Sequence, residues 1–360
     1  MKDLVLVGGG HSHVQVMAHF GARPMPGVQV TLVARDIRTP YSGMLPGFVA
    51  GRYSFDDCHI DLADFAKRTN VNLVHAEAVG LDRTGRLVLL KDKAPLSYDV
   101  LSLDIGAAPD LGPIPGAAEH AVPVKPISEF GQRWLAFVEQ AGDRQQRIVV
   151  IGGGAGGVEL ALAIDHRLPA ASVVLATRDE VLAGHARAAQ RKMRAILARR
   201  GLRLVEKNAA TRIEAGSVRL AGGERLDADA VFVVTEASAP RWLADTGLTL
   251  DPKGFVAVAA TLRTSDPTIF AAGDCATVLK YPRPKSGVFA VRQGPPLAEN
   301  LRRVLGAQNP NPFVPQSRYL ALIGTGDGWA LATRGGWAIT GAWVWWWKDW
   351  IDRRWMANYR

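Results

Sequence analysis

Two glycine-rich turns, Gly8-Gly9-Gly10-His11-Ser12-His13 and Gly152-Gly153-Gly154-Ala155-Gly156-Gly157, constrain this chain more than any other feature. Each follows a short apolar run, Leu4 to Val7 or Ile148 to Ile151, with the continuous hydrophobicity of a parallel strand buried on both faces. Each is followed by a sequence that reads as a helix. In such a turn glycine lets the backbone approach a diphosphate closely, and the N–H groups at the helix start supply donors and partial positive charge. A single turn of this kind is a weak signal, because tight connections also use glycine. Two in the same strand, turn and helix context predict two dinucleotide sites in one chain.

The unit of strand, turn, helix and strand runs from Leu4 to Arg35 and again from Ile148 to Arg178, an internal repeat of architecture. The predicted class is α/β, with two Rossmann-like three-layer dinucleotide-binding domains, the second inserted in the first. The boundaries read as 1–118 with 255–318 for the first domain, 119–254 for the second and 319–360 for a C-terminal part. Residues 39–51 read as proline-rich irregular sequence. The segment 109–126, with five prolines, reads as the crossover between the domains. Beyond Tyr319 the runs Tyr319 to Ile323, Trp329 to Thr333 and Trp337 to Thr340 predict a small antiparallel meander. A helix follows, holding six of the chain's 10 tryptophans.

With 48% hydrophobic residues, the 360-residue chain has ample material for buried cores. Its two cysteines, Cys58 and Cys275, are far apart and form no Cys-x-x-Cys pair, which argues against a disulfide framework or a zinc site and fits a reducing cytoplasm. The first strand begins at once, so no secretory signal is expected. An excess of 43 Lys+Arg over 34 Asp+Glu, net +9, favours anionic partners such as dinucleotides or acidic lipid, and nothing points to nucleic acid. The basic run Arg187 to Arg200 reads as a solvated helix face.

The two turns differ in detail. In the first, His13 replaces the third glycine, and the second strand ends Ala34-Arg35, without the acid that would bind a ribose 2′-hydroxyl. His11 and His13 stand two apart with no acidic companion in the turn, which favours packing or capping over metal ligation. The second turn keeps Gly152, Gly154 and Gly157 and is followed by Glu159, a first-turn acid that suits the helix dipole. Its second strand ends Thr177-Arg178. Arg178 is placed either to accept a 2′-phosphate, which favours NADPH over NADH, or as an ordinary exposed strand-end arginine.

The run Thr264 to Phe270 leading to Ala271-Ala272-Gly273-Asp274 resembles the flavin-binding Gly-Asp motif of the FAD-dependent pyridine nucleotide-disulfide oxidoreductase family, and Val291-Arg292-Gln293-Gly294 resembles its downstream helix. The segments His11-Ser12-His13, 39–47, Tyr53 to Ile60 and Trp343 to Arg354 are similar to the flavoprotein module fused ahead of selenide, water dikinase, which itself resembles type II NADH dehydrogenases. No dikinase sequence follows, so a free-standing version is expected. The resemblance implies FAD held by Gly8, Gly10, His11, Ser12, Arg35, Pro40, Tyr41, Gly273 and Asp274, with NADH or NADPH at Gly152, Gly154, Gly157 and Arg178. It places Glu159 and Gln293 beside the reacting rings. The disulfide reductases of this superfamily carry a cysteine pair after the first unit; here Cys58 stands alone, so hydride is expected to pass from nicotinamide to FAD with no dithiol relay. The implied activity is an FAD-dependent NAD(P)H oxidoreductase passing electrons to an acceptor, with membrane quinone the first candidate. The alternatives are a reductase in selenium or sulfur metabolism and a non-catalytic flavin-binding partner.

The tail cannot span a bilayer, which takes about 20 apolar residues. On a helical wheel Trp343, Trp346, Trp347, Trp350, Ile351 and Trp355 share an arc interrupted by Arg354, with Lys348, Asp349, Asp352 and Arg353 opposite. That arc either lies in a membrane interface, making a cytoplasmic protein peripheral on the inner membrane, or packs on the flavin domain or on a second subunit of a homodimer.

Overall fold

The apolar runs of the sequence become the central strands of two parallel sheets in a computed structural model that describes residues 1–109, 111, 114–125, 127–234 and 237–360. In chain order, β1 (Lys2–Val7), β2 (Val28–Ala34), β3 (Asn72–His75) and β4 (Val100–Leu103) form the first sheet. The second holds β5 (Val122–Pro123), β6 (Arg147–Ile151), β7 (Ser172–Ala176), β8 (Arg203–Val205) and β9 (Ala230–Val233), after which β10 (Ile269–Ala271) returns to the first. The spatial orders are β10-β4-β1-β2-β3 and β5-β9-β6-β7-β8, all neighbours parallel. The fold is thus the α/β arrangement of paired Rossmann-like units. Residues 110, 112, 113 and 126 of the expected crossover lie outside the described residues.

The repeat extends to individual hydrogen bonds. Gly8 N–H donates to Val33 O at 2.8 Å and Gly152 N–H to Ala176 O at 2.9 Å. The helices that follow, α1 (His11–Ala22) and α2 (Ala155–Arg167), start from Gly10 and Gly154 with nearly the same backbone, φ −68 and ψ 170 against φ −72 and ψ 176. Gly8 and Gly152 have φ of +96 and +131, a region open to glycine, and a methyl on either would overlap the carbonyl that ends the adjacent strand. Residues 39–51 are more ordered than irregular sequence. Arg38–Pro40 pairs antiparallel with His59–Asp61, and a short helix, Leu45–Val49, starts with Pro46 in its first turn, where proline lacks no needed donor.

Three longer helices complete the frame, Ile127–Ala141, α3 (Arg187–Arg199) and α4 (Gly287–Leu305); α4 packs along α1. The meander forms from Ala321–Gly324, Ala330–Arg334 and Trp337–Gly341, and α5 (Ala342–Met356) lies across it. The helical-wheel division of α5 holds, but the polar side faces inward. Val344, Trp345, Lys348, Asp352 and Met356 are buried, whereas Trp343, Trp346, Trp347 and Trp350 are 38–69% exposed. Packing of the whole tryptophan arc on the flavin domain is therefore not what the chain does; only Trp355 turns in, stacking on Tyr41 at 4.3 Å. The reason is that the inward polar groups find partners: Lys348 and Asp352 pair with each other, and Tyr53 Oη donates to Asp349 Oδ1 at 2.6 Å.

Gly157 sits where any side chain would overlap the Gly152 carbonyl. Gly157→Ala is expected to lower stability by about 1–3 kcal/mol in denaturant titrations, whereas Gly216→Asn, in an open left-handed turn, is expected to cost well under about 1 kcal/mol.

Candidate active site

Both glycine turns open at the C-terminal ends of their strands, where open parallel sheets bind ligands, onto one cleft of about 1860 Å³. Gly8, Gly10, His11, Arg35, Pro40 and Asp274 line it on one side, and Gly152, Gly154, Gly157 and Arg178 on the other. The sequence candidates Ser12, Tyr41, Gly273, Glu159 and Gln293 are not among the residues that line it.

The residues fit two dinucleotides, in different ways. Above Gly154 an added methyl would have nothing within 4 Å, so the α2 N-terminus is open to a diphosphate. Arg178 pairs with Asp179 at 3.1 Å on the exposed rim. At the first turn, Ser12 N–H donates to the Asp104 carboxylate at 2.8 Å and its hydroxyl to Ala290 O at 2.8 Å, so its side chain serves the core. His13 explains how the third glycine is replaced. Its Nδ1 meets Gly8 O at 2.7 Å and its Nε2 meets Ser102 Oγ at 2.8 Å, tying the turn to β4. Burial lowers the pKa of His11 and of His13 to about 4, so both rings are neutral. His11 packs between Tyr41 and Trp355, and its buried Nε2 has no protein partner among the described residues, which suits a ligand atom.

Asp274 pairs with Lys125 at 2.9 Å across the crossover. Gln293 Oε1 accepts the Gly273 N–H at 2.7 Å, so this side chain holds the Gly-Asp turn in place from behind. Lys125 carried no sequence signal, because it lies in proline-rich sequence without a spacing rule. Cys58 and Cys275 are buried, and burial pushes both thiols up to about 12, so neither is a thiolate near neutral pH.

A second polar group lies between α2, α5 and the turn Ser42–Met44. Glu159 Oε1 accepts the Gly324 N–H at 2.8 Å, and burial pushes its carboxyl up to about 7, opposed by the Lys348 charge. Lys348 Nζ donates to Gly43 O and to Asp352 Oδ2, each at 2.6 Å. Burial works against the ammonium charge, but Asp352 and Glu159 outweigh it and raise its pKa. The Tyr41 hydroxyl is raised as well, first by burial and then by Asp352. The helical wheel identified Lys348 and Asp352 only as opposite the tryptophans; their i, i+4 spacing was the available signal.

The sequence matches the family described as pyridine nucleotide-disulphide oxidoreductase over residues 2–294. It is 21% identical to the NADH dehydrogenase-like protein YutJ of Bacillus subtilis, over 90% of each chain. It is 26% identical to the probable ferredoxin reductase CtmF of Castellaniella defragrans, over 87% of this chain and 78% of that one. Among solved structures, the sulfide:quinone oxidoreductase of Aquifex aeolicus superposes with a TM-score of 0.85 at 17% identity, covering 100% of this chain and 92% of that one.

Lys348→Ala is expected to destabilise the protein by about 3–5 kcal/mol in thermal or chemical denaturation, because it leaves Asp352 buried without its partner. The double variant Lys348→Met/Asp352→Leu is expected to recover most of that loss.

Proposed function

This chain belongs to the pyridine nucleotide-disulphide oxidoreductase family, an FAD-dependent enzyme that oxidises NAD(P)H, and we propose that its electron acceptor is a quinone taken from a membrane surface. When bound, FAD supplies hydride acceptance from the nicotinamide and electron transfer to the acceptor. The glycine turns would hold the two diphosphates, and Asp274 with Lys125 the flavin's polar chain. Arg178 at the end of β7, in place of an acid, favours NADPH.

One observation carries the acceptor assignment. A buried acid-base group, Glu159 with Lys348 and Asp352, lies beneath a helix whose outer face presents four exposed tryptophans. Quinone reduction consumes protons as well as electrons. Glu159, with a pKa of about 7, can hold a proton at neutral pH and give it up, and Lys348 returns charge balance once the carboxylate forms. Tryptophan suits the headgroup boundary of a bilayer, and Arg353 and Arg354 near the helix end suit anionic lipid. No helix among the described residues is long and apolar enough to cross a membrane, so contact would be made from the surface.

Anaerobic mixing with NADH and, in parallel, NADPH is expected to bleach the flavin band with at least one donor, and a soluble quinone analogue to restore it. A flavin that stays oxidised with both donors would remove the enzymatic reading and favour a binding role. Glu159→Gln is expected to leave bleaching unchanged and slow quinone-driven reoxidation by about tenfold or more. In wild type that reoxidation should slow as pH rises past about 7, where the carboxyl loses its proton. Trp346→Ala/Trp350→Ala is expected to cut co-sedimentation with anionic liposomes by about tenfold; undiminished binding would exclude this face as the membrane contact.

A further inference from the structure

The two repeated units differ at a residue that the glycine pattern does not mark. The N–H that follows the strand beside β1 or β6 closes onto that central strand, Asp104 onto Val7 O at 2.9 Å and Val234 onto Ile151 O at 2.8 Å. The carbonyls of the same two residues forbid a side chain at Gly8 and Gly152. In the second unit the side chain is a valine, and the space above Gly154 is open. In the first it is a carboxylate, 3% exposed, wedged so that a methyl on Gly10 or Gly273 would overlap it. Its Oδ2 accepts the N–H of Ser12 at 2.8 Å and of His13 at 3.2 Å. The N–H groups of Gly9, Gly10 and His11 remain without an acceptor among the described residues.

We propose that Asp104 is a cofactor-positioning residue: it takes the first-turn donors of α1 for the protein's own carboxyl group and confines the dinucleotide diphosphate to the glycine-turn N–H groups. This rests on the reading of the first turn as the FAD site. Two anions at one helix N-terminus repel, so diphosphate binding favours the neutral form of Asp104 and takes up a proton.

The surroundings allow that form near neutral pH. Burial acts most strongly and carries Asp104 up to about 7, against the His13 and Ser12 N–H groups, with the Asp274 carboxylate adding to the rise. The other facing groups are neutral: the His11 and His13 rings from α1 and the Cys275 thiol beside the Gly-Asp turn. Lys125 engages Asp274, and Lys285 donates to Ala276 O and Thr277. Because the acid form is the favoured one, cofactor affinity is full at low pH and is lost as pH rises through and above about 7.

Flavin release from purified holoprotein, followed by fluorescence after dilution, tests this. Wild type is expected to bind FAD about tenfold more weakly at about pH 8 than at about pH 6. Asp104→Asn, whose amide oxygen can accept the same two N–H bonds, should bind with one affinity at both. A wild-type affinity that does not change with pH, or an unchanged pH response in Asp104→Asn, would overturn the proposal. If that variant does not fold, titration calorimetry of the flavin-stripped wild type in two buffers of different ionisation enthalpy decides instead. Proton uptake on FAD binding near pH 8 supports the proposal, and none refutes it. A chain that binds no flavin at any pH would remove the FAD-site reading and this proposal with it, whereas flavin bound without pH response sinks the proposal alone.

Discussion

The close approach of a glycine to the carbonyl ending the neighbouring strand is the contact on which the architecture depends. At Gly8 and at Gly152 the backbone turns against Asp104 or Val234 so tightly that no side chain fits. That approach sets where each helix begins, and so directs the helix start over the C-terminal edge of its sheet. Because both units do this, and because β10 returns to the first sheet after the second is complete, the two turns line a single cleft. A hydride donor and its acceptor need that proximity.

The C-terminal part depends on a different principle. A helix with six tryptophans and a strip of charge would ordinarily bury the rings. Here the charged strip goes inside, because Lys348 and Asp352 satisfy one another and Gly43 O offers a further acceptor. A buried ion pair contributes little net stability against a well-packed apolar substitute. The inversion brings the pair beside Glu159 and leaves Trp343, Trp346, Trp347 and Trp350 at the surface.

Much of the fold was legible beforehand because strand burial and the glycine turns are local properties. The runs Leu4 to Val7 and Ile148 to Ile151 fall inside β1 and β6, and the meander is displaced by only one or two residues. The short helix Leu45–Val49 was missed because Pro46 and Gly47 read as breakers, although proline is tolerated in a first turn. Within the site, Gly8, Gly10, Gly152 and Gly154 were accessible through motif spacing and Asp274 through the family resemblance, whereas Lys125 and Asp104 were not, and Lys348 offered only its i, i+4 spacing to Asp352. Each of those three acts through a partner distant in sequence, Asp274, Gly43 or the Ser12 N–H, and no spacing rule links such pairs.

The sequence by itself determined that two strand, turn and helix units exist, that each opens on a glycine turn, and that no Cys-x-x-Cys pair accompanies them. Those properties follow from residue type and from periods of a few residues. Only the tertiary structure decided which face of the last helix meets solvent, which carboxyl occupies the first helix start, and that Glu159 shares its surroundings with Lys348. Those outcomes depend on whether a buried polar group finds a partner, and the partners are brought together by the packing of segments far apart in the chain.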